Sequence, residues 1–179
     1  MNVKSEISRR SVLKTAFSTG LSVSVLPIMA AQPQNLPTPP NEKQTRMNEQ
    51  PPALHPDLVK EFVTAAHGKV DVVKKMVEEH PSLLNATWDW GGGDFESALE
   101  AAGHMGDREI ALFLIEKGAR INIFCAAMLG ELDVVKALLN KYPHIKTSKG
   151  PHGISLLRHA EAGGEQAKHV LDYLKTLKS

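Results

Sequence analysis

The residues of this 179-residue chain that could do chemistry are eight histidines, one cysteine and a short stretch rich in aromatic and acidic side chains. His67 and His104 lie one and two residues before Gly68 and Gly106, glycines that interrupt helical patterns. A zinc-type site wants three or four ligands at fixed spacing. No H-x-x-x-H pair with a neighbouring acid is written along the chain. The sequence therefore predicts no metal ligands and no cofactor. His159 and His169 read as helix residues, while His144 and His152 fall in loops. Cys125 has no second cysteine to pair with, so no internal disulfide forms. Its place beside Ala126 in an apolar helix makes it a small buried hydrophobe rather than a reactive thiol.

The aromatic and acidic stretch runs from Asn85 to Glu96 and holds both tryptophans, followed by Gly91-Gly92-Gly93. Three consecutive glycines are costly to order, which suits a loop tip with unusual backbone angles. Two readings stand side by side. In one, Trp88, Trp90 and Phe95 are rigid anchors for a partner, with Asp89 and Asp94 as polar contacts, because aromatic anchors dominate interface energetics. In the other, the tryptophans fold back over an apolar edge of the domain. A phosphate loop does not fit, since no Lys-Ser/Thr follows the glycines. Two carboxylates also fall short of a calcium cage. A second loop, from Thr147 to Ile154, carries Lys149 and His152 between turn-forming Gly and Pro residues. Its sign is opposite to that of the Asp89/Asp94 loop. If both loops line one rim, that rim is graded in charge, which governs partner choice and approach. The chain has no G-x-S-x-G, H-E-x-x-H, C-x-x-C or Walker sequence, and a non-catalytic protein is expected.

The elements that position these residues are organised around Ala126 to Leu139, AAMLGELDVVKALL. Ala126 and Ala127 allow a close helix approach. Val134, Val135, Leu138 and Leu139 recur at helical spacing, and Gly130 supplies the break between two helices. Similar units centre on Gly68, Gly106 and Gly163, giving separations of 38, 24 and 33 residues. Self-similarity at such a period marks a repeat architecture.

The second unit carries a specific likeness. Ser97-Ala98-Leu99-Glu100-Ala101-Ala102-Gly103-His104-Met105-Gly106, then Glu109, Ile110, Ala111, Leu114 and Ile115, then Gly118-Ala119-Arg120-Ile121-Asn122 follow the ankyrin-repeat pattern. Over about residues 57–177 the chain resembles an ankyrin-repeat protein, with Ser97-Ala98 and Glu100 replacing the family's Thr-Pro and His. The finger between Asn122 and Ala126 is nearly absent, and the last unit fits only with one residue of slippage near Gly163-Gly164. The resemblance implies an all-α, ankyrin-repeat solenoid of about four helix-turn-helix repeats, over 57–94, 95–121, 122–146 and 147–179. It also implies a concave groove, faced by His67, His104, Met105, Met128 and Leu129, in which neighbouring His67 and His104 approach one another.

The amino-terminal part is of another kind. Ser8-Arg9-Arg10-Ser11-Val12-Leu13-Lys14 resembles a twin-arginine export leader, with Arg9 and Arg10 as its signal. The apolar run to Met29 has the length of a signal-peptide core and is too short to span a bilayer. Residues 1–31 are thus expected to be a cleaved signal peptide, leaving no stable membrane anchor and placing the protein in the periplasm or outside the cell. Residues 32–56 read as a Pro-rich disordered linker. Residues 57–179 hold 15 Lys/Arg against 17 Asp/Glu, which gives no electrostatic footprint for nucleic acid. The expected function is an exported, non-catalytic module that binds another protein through the residues named above, with the twin-arginine translocation machinery as partner of the precursor. The alternative is a periplasmic small-molecule or metal-binding protein with weak enzymatic capacity.

Overall fold

The structure is a computed structural model that describes residues 51–177. The expected leader with Arg9 and Arg10, and most of the Pro-rich linker, lie outside the described residues. Within them the chain is mostly helical, consistent with the all-α expectation. It runs α1 (Pro56–Ala65), α2 (Val70–Glu79), a hairpin of β1 (Thr87–Asp89) and β2 (Phe95–Ser97), α3 (Ala98–Met105), α4 (Arg108–Glu116), α5 (Ile123–Leu129), α6 (Leu132–Lys141), α7 (Leu156–Ala162) and α8 (Lys168–Thr176). The helices form four consecutive pairs. In one layer α1, α3, α5 and α7 pack side by side, and each is backed by the helix that follows it.

Local chemistry sets each helix start. Ser97 Oγ accepts from the Glu100 backbone N–H, while the Glu100 carboxylate accepts from the Ser97 N–H at 2.9 Å, a reciprocal capping box. The other Glu100 oxygen accepts from Asn122 Nδ2 at 3.0 Å, and Asn122 Oδ1 caps α5 at the Cys125 N–H. One acidic side chain thus ties two units together. For α1 the N-cap is His55, which accepts from the Asp57 N–H. Pro56 can occupy the first helical position at no hydrogen-bond cost, so the helix has already begun at Asp57.

The first layer is lined by small side chains, with Ala101, Ala102, Ala126, Ala127 and Ala160 fully buried. These let helices approach closely enough that α3 touches α7 as well as its neighbour α5. Gly106 and Gly130 end α3 and α5 in the left-handed conformation, at φ 73° and 79°. A Cβ at Gly130 would run into the carbonyl of Gln166. The fourth pivot is displaced: Gly163 has φ −71° and Gly164 takes the left-handed angle, at 61°. That is the one-residue slip visible in the sequence.

Met128 and Leu129 are not groove residues. Met128 is fully buried and Leu129 nearly so, because α5 is flanked by both α3 and α7 and its end is covered by Gly163 and the Arg108 guanidinium, 3.0 Å from the Leu129 carbonyl. Cys125 is buried in the same layer, and burial pushes its thiol up to about 12. Since a thiolate is needed for attack, Cys125 in the native protein is expected to resist Ellman's reagent near pH 8 and to react fully once urea unfolds the chain. Rapid labelling of folded protein would show that the thiol is exposed.

Candidate metal centre

The site forms where the ends of two first-layer helices meet two loops. His67 follows α1 and its Nδ1 lies 3.1 Å from the Val63 carbonyl oxygen. A carbonyl only accepts, so Nδ1 carries a proton and Nε2 is left to face another group. His104, on the last turn of α3, places Nε2 2.8 Å from Glu96 Oε1. His152 comes from the loop before α7. Its Nδ1 is 2.8 Å from Asp94 Oδ2, and its backbone N–H donates to Asp94 Oδ1 at 2.8 Å. This pair of hydrogen bonds to Asp94 docks the second loop on the first across 58 positions of sequence. The donors from His152, backbone first, hold the Asp94 carboxyl below its usual range. His152 has φ 58°, the only non-glycine residue with positive φ among the described residues. Such a conformation persists only where the surroundings over-determine it.

All three imidazoles point at Glu96, the middle residue of β2. Its neighbour Phe95 turns outward and is 58% exposed, so strand alternation sends Glu96 inward to full burial. Glu96 Oε2 accepts from Trp90 Nε1 at 2.7 Å. His67 Nε2 stands 3.6 Å from Glu96 Oε2, and His152 Nε2 3.4 Å from Oε1. Burial pushes the Glu96 carboxyl up, but donors on His104 and Trp90 and the nearby His67 and His104 outweigh it and hold the group below the usual carboxylate range. One ligand atom from each of His67, Glu96, His104 and His152 lies within 4.8 Å of every other.

Two features fit this set to a cation. First, His67 and His152 are each held through Nδ1 by an oxygen acceptor, which leaves each Nε2 facing a Glu96 oxygen, where a proton or a metal ion can stand. Second, ligands bound at 2.0–2.2 Å around a tetrahedral metal stand roughly 3.4 Å apart, close to the His67–Glu96 and His152–Glu96 separations, whereas His104 Nε2 sits at hydrogen-bond distance from Glu96 and would draw back to ligate. The outer bonds of His67 to a carbonyl and of His152 to a carboxylate are those that fix the tautomer and ring of a metal-ligating histidine. Three imidazoles and one carboxylate suit zinc, copper, nickel or cobalt rather than calcium or magnesium.

The structure gathers five of the sequence-predicted residues here: His67, His104, His152, Trp90 and Asp94. The ring centroids of His67 and His104 are 5.0 Å apart, as neighbouring units imply. Glu96, from strand β2, and His152, from a loop far away in sequence, stand beside His67 and His104 as candidate third and fourth ligands that the sequence did not reveal. The remaining residues are elsewhere. Trp88 packs on the core beneath Lys60, the covering role, whereas Trp90 joins the site. Asp89 accepts from the Gly91 and Gly93 N–H groups and closes its own loop. Phe95, Met105 and Lys149 are exposed. Glu96 was missed because nothing local distinguishes it from a surface glutamate. The usable signal was the opposite charge of the Asp89/Asp94 and Lys149/His152 loops, which do meet.

No protein-family model matches this chain, and no curated protein matches it either. The geometry carries the functional argument alone. Trp90→Phe removes one donor from a buried carboxylate with little change in shape, and is expected to cost about 1.5–3 kcal/mol in urea unfolding. Trp88→Phe, which breaks no hydrogen bond to Glu96, should cost clearly less.

Proposed function

We propose that this protein binds a divalent transition-metal ion through His67, Glu96, His104 and His152, on an ankyrin-like stack of helix pairs that is exported by the twin-arginine route. The observation that carries the reading is the convergence of these ligand atoms within 4.8 Å, two of the histidines being oriented by acceptors on their outer nitrogens. Glu96 and His104 form the buried side of the site, and His67 and His152 are the partly exposed side through which an ion enters. The whole is a protein of the periplasm whose metal is bound by residues gathered from separate elements rather than by a local sequence motif.

A second reading has one observation of its own. Phe95 and Met105 are 58% and 53% exposed, close in sequence to the ligands Glu96 and His104. These side chains suit capture of a protein partner beside the metal.

The deciding experiment is calorimetric titration of the chelator-treated chain with Zn²⁺ and Co²⁺. One saturable ion per chain is expected. His104→Ala is expected to abolish binding, and Asp94→Ala, which frees the ring and loop of His152, to weaken it by roughly 10–100-fold. Absence of saturable binding by a folded chain would remove the proposal. For the export component, changing Arg9 and Arg10 together to Lys should leave the full chain in the cytoplasm of a twin-arginine-competent bacterium. Unchanged export would argue against that leader.

A further inference from the structure

Two of the three imidazoles in the centre have an acceptor on the outer nitrogen, and the third does not. His67 Nδ1 bonds to the Val63 carbonyl and His152 Nδ1 to Asp94. His104 engages Glu96 through Nε2, and among the described residues nothing accepts from its Nδ1. A ligating histidine ordinarily has such an acceptor, which fixes its ring and strengthens its donor lone pair.

His104 also borders a cavity of about 480 Å³, walled by Lys149, Ser155, Arg158 and Glu161. The volume is many times that of one water, about 30 Å³, and lies within the range of small-ligand sites. Two cations and one carboxylate line it. Arg158 Nη1 binds Glu161 at 2.6 Å, while Lys149 has no ion pair among the described residues. The wall therefore carries a net positive charge beside an imidazole that lacks an acceptor.

We infer that this cavity takes a small oxyanion, a carboxylate or a tetrahedral phosphate or sulfate. With a proton on each ring nitrogen, or a metal ion in place of the Nε2 proton, His104 donates from Nδ1 to the anion, which also pairs with Lys149 and Arg158 and supplies the acceptor that His104 lacks. The consequence for the metal rests on the metal-binding reading above. By ordinary linkage, anion and metal then strengthen one another's binding by the same factor.

The anion site can be tested without any metal. The side-chain ¹⁵N–¹H resonances of His104 are followed in the chelator-treated full chain during titration with sodium sulfate and, separately, sodium acetate. A saturable shift at millimolar anion, absent in the Lys149→Ala/Arg158→Ala variant with unchanged circular dichroism, is the expected result. Which of the two salts saturates tells tetrahedral anion from carboxylate. No saturable shift with either salt would overturn the site, even if Co²⁺ binds normally. Co²⁺ titration with and without the effective salt then reads the coupling. Affinity is expected to rise about tenfold, with the gain lost in the double variant and its anion-free Co²⁺ affinity unchanged. A bound anion that leaves Co²⁺ affinity unaltered would overturn the coupling. Failure of Co²⁺ to bind at all, with the anion shift intact, would sink the metal reading and leave the oxyanion site standing.

Discussion

A carboxylate with no solvent exposure has to be compensated by its neighbours, and much of this domain's arrangement follows from how Glu96 is compensated. An unpaired buried charge is prohibitive. Here the compensation comes from the Trp90 indole and from three imidazoles that reach the carboxylate from α1, α3 and a distant loop. None of these donors is Lys or Arg, whose permanent charge would neutralise the group outright. Histidines leave the balance adjustable, because the same nitrogens can hold protons or a metal ion. A buried lysine in place of one histidine would make a more ordinary ion pair and would leave nothing to exchange.

The short link between Lys117 and Asn122 gives this centre its reach. In the sequence it looks like a defect, a finger missing between the second and third units. In the structure Asn122 passes directly into the capping of α5, and α3 lies close enough to touch α7 past it. That contact brings the loop carrying His152 over the end of α3. Small side chains make the approach possible, and Asp94 then holds the loop by two bonds. The His152 backbone strain is stored at the point where the two loops join.

How far this was legible varies with the distance over which a signal acts. Helix pairing was readable from Gly106 and Gly130, since left-handed caps are a local demand. The nearness of His67 and His104 followed from unit spacing. Glu96 was not readable, because a strand of three residues carries too little alternation to tell inside from outside, and Phe95 looks the more buried of the two. Met128 and Leu129 were misplaced for a related reason. Their exposure depends on how closely the fourth pair closes over α5, which the spacing of the third unit does not reveal. The slip at Gly163-Gly164 was visible as an irregularity, but only the backbone angles show which glycine makes the turn.

Arrays of stacked units usually tolerate gain or loss of a unit, because each contacts only its neighbours. The contact of α3 with α7 removes that freedom here. One more helix pair between them would carry His152 away from Glu96, and one fewer would leave the second and fourth units with nothing packed between them. The number of units is therefore part of how these side chains come together. In this chain a duplication or deletion that preserved every local fold rule would still erase the site, so its length can change at the ends but not in the middle.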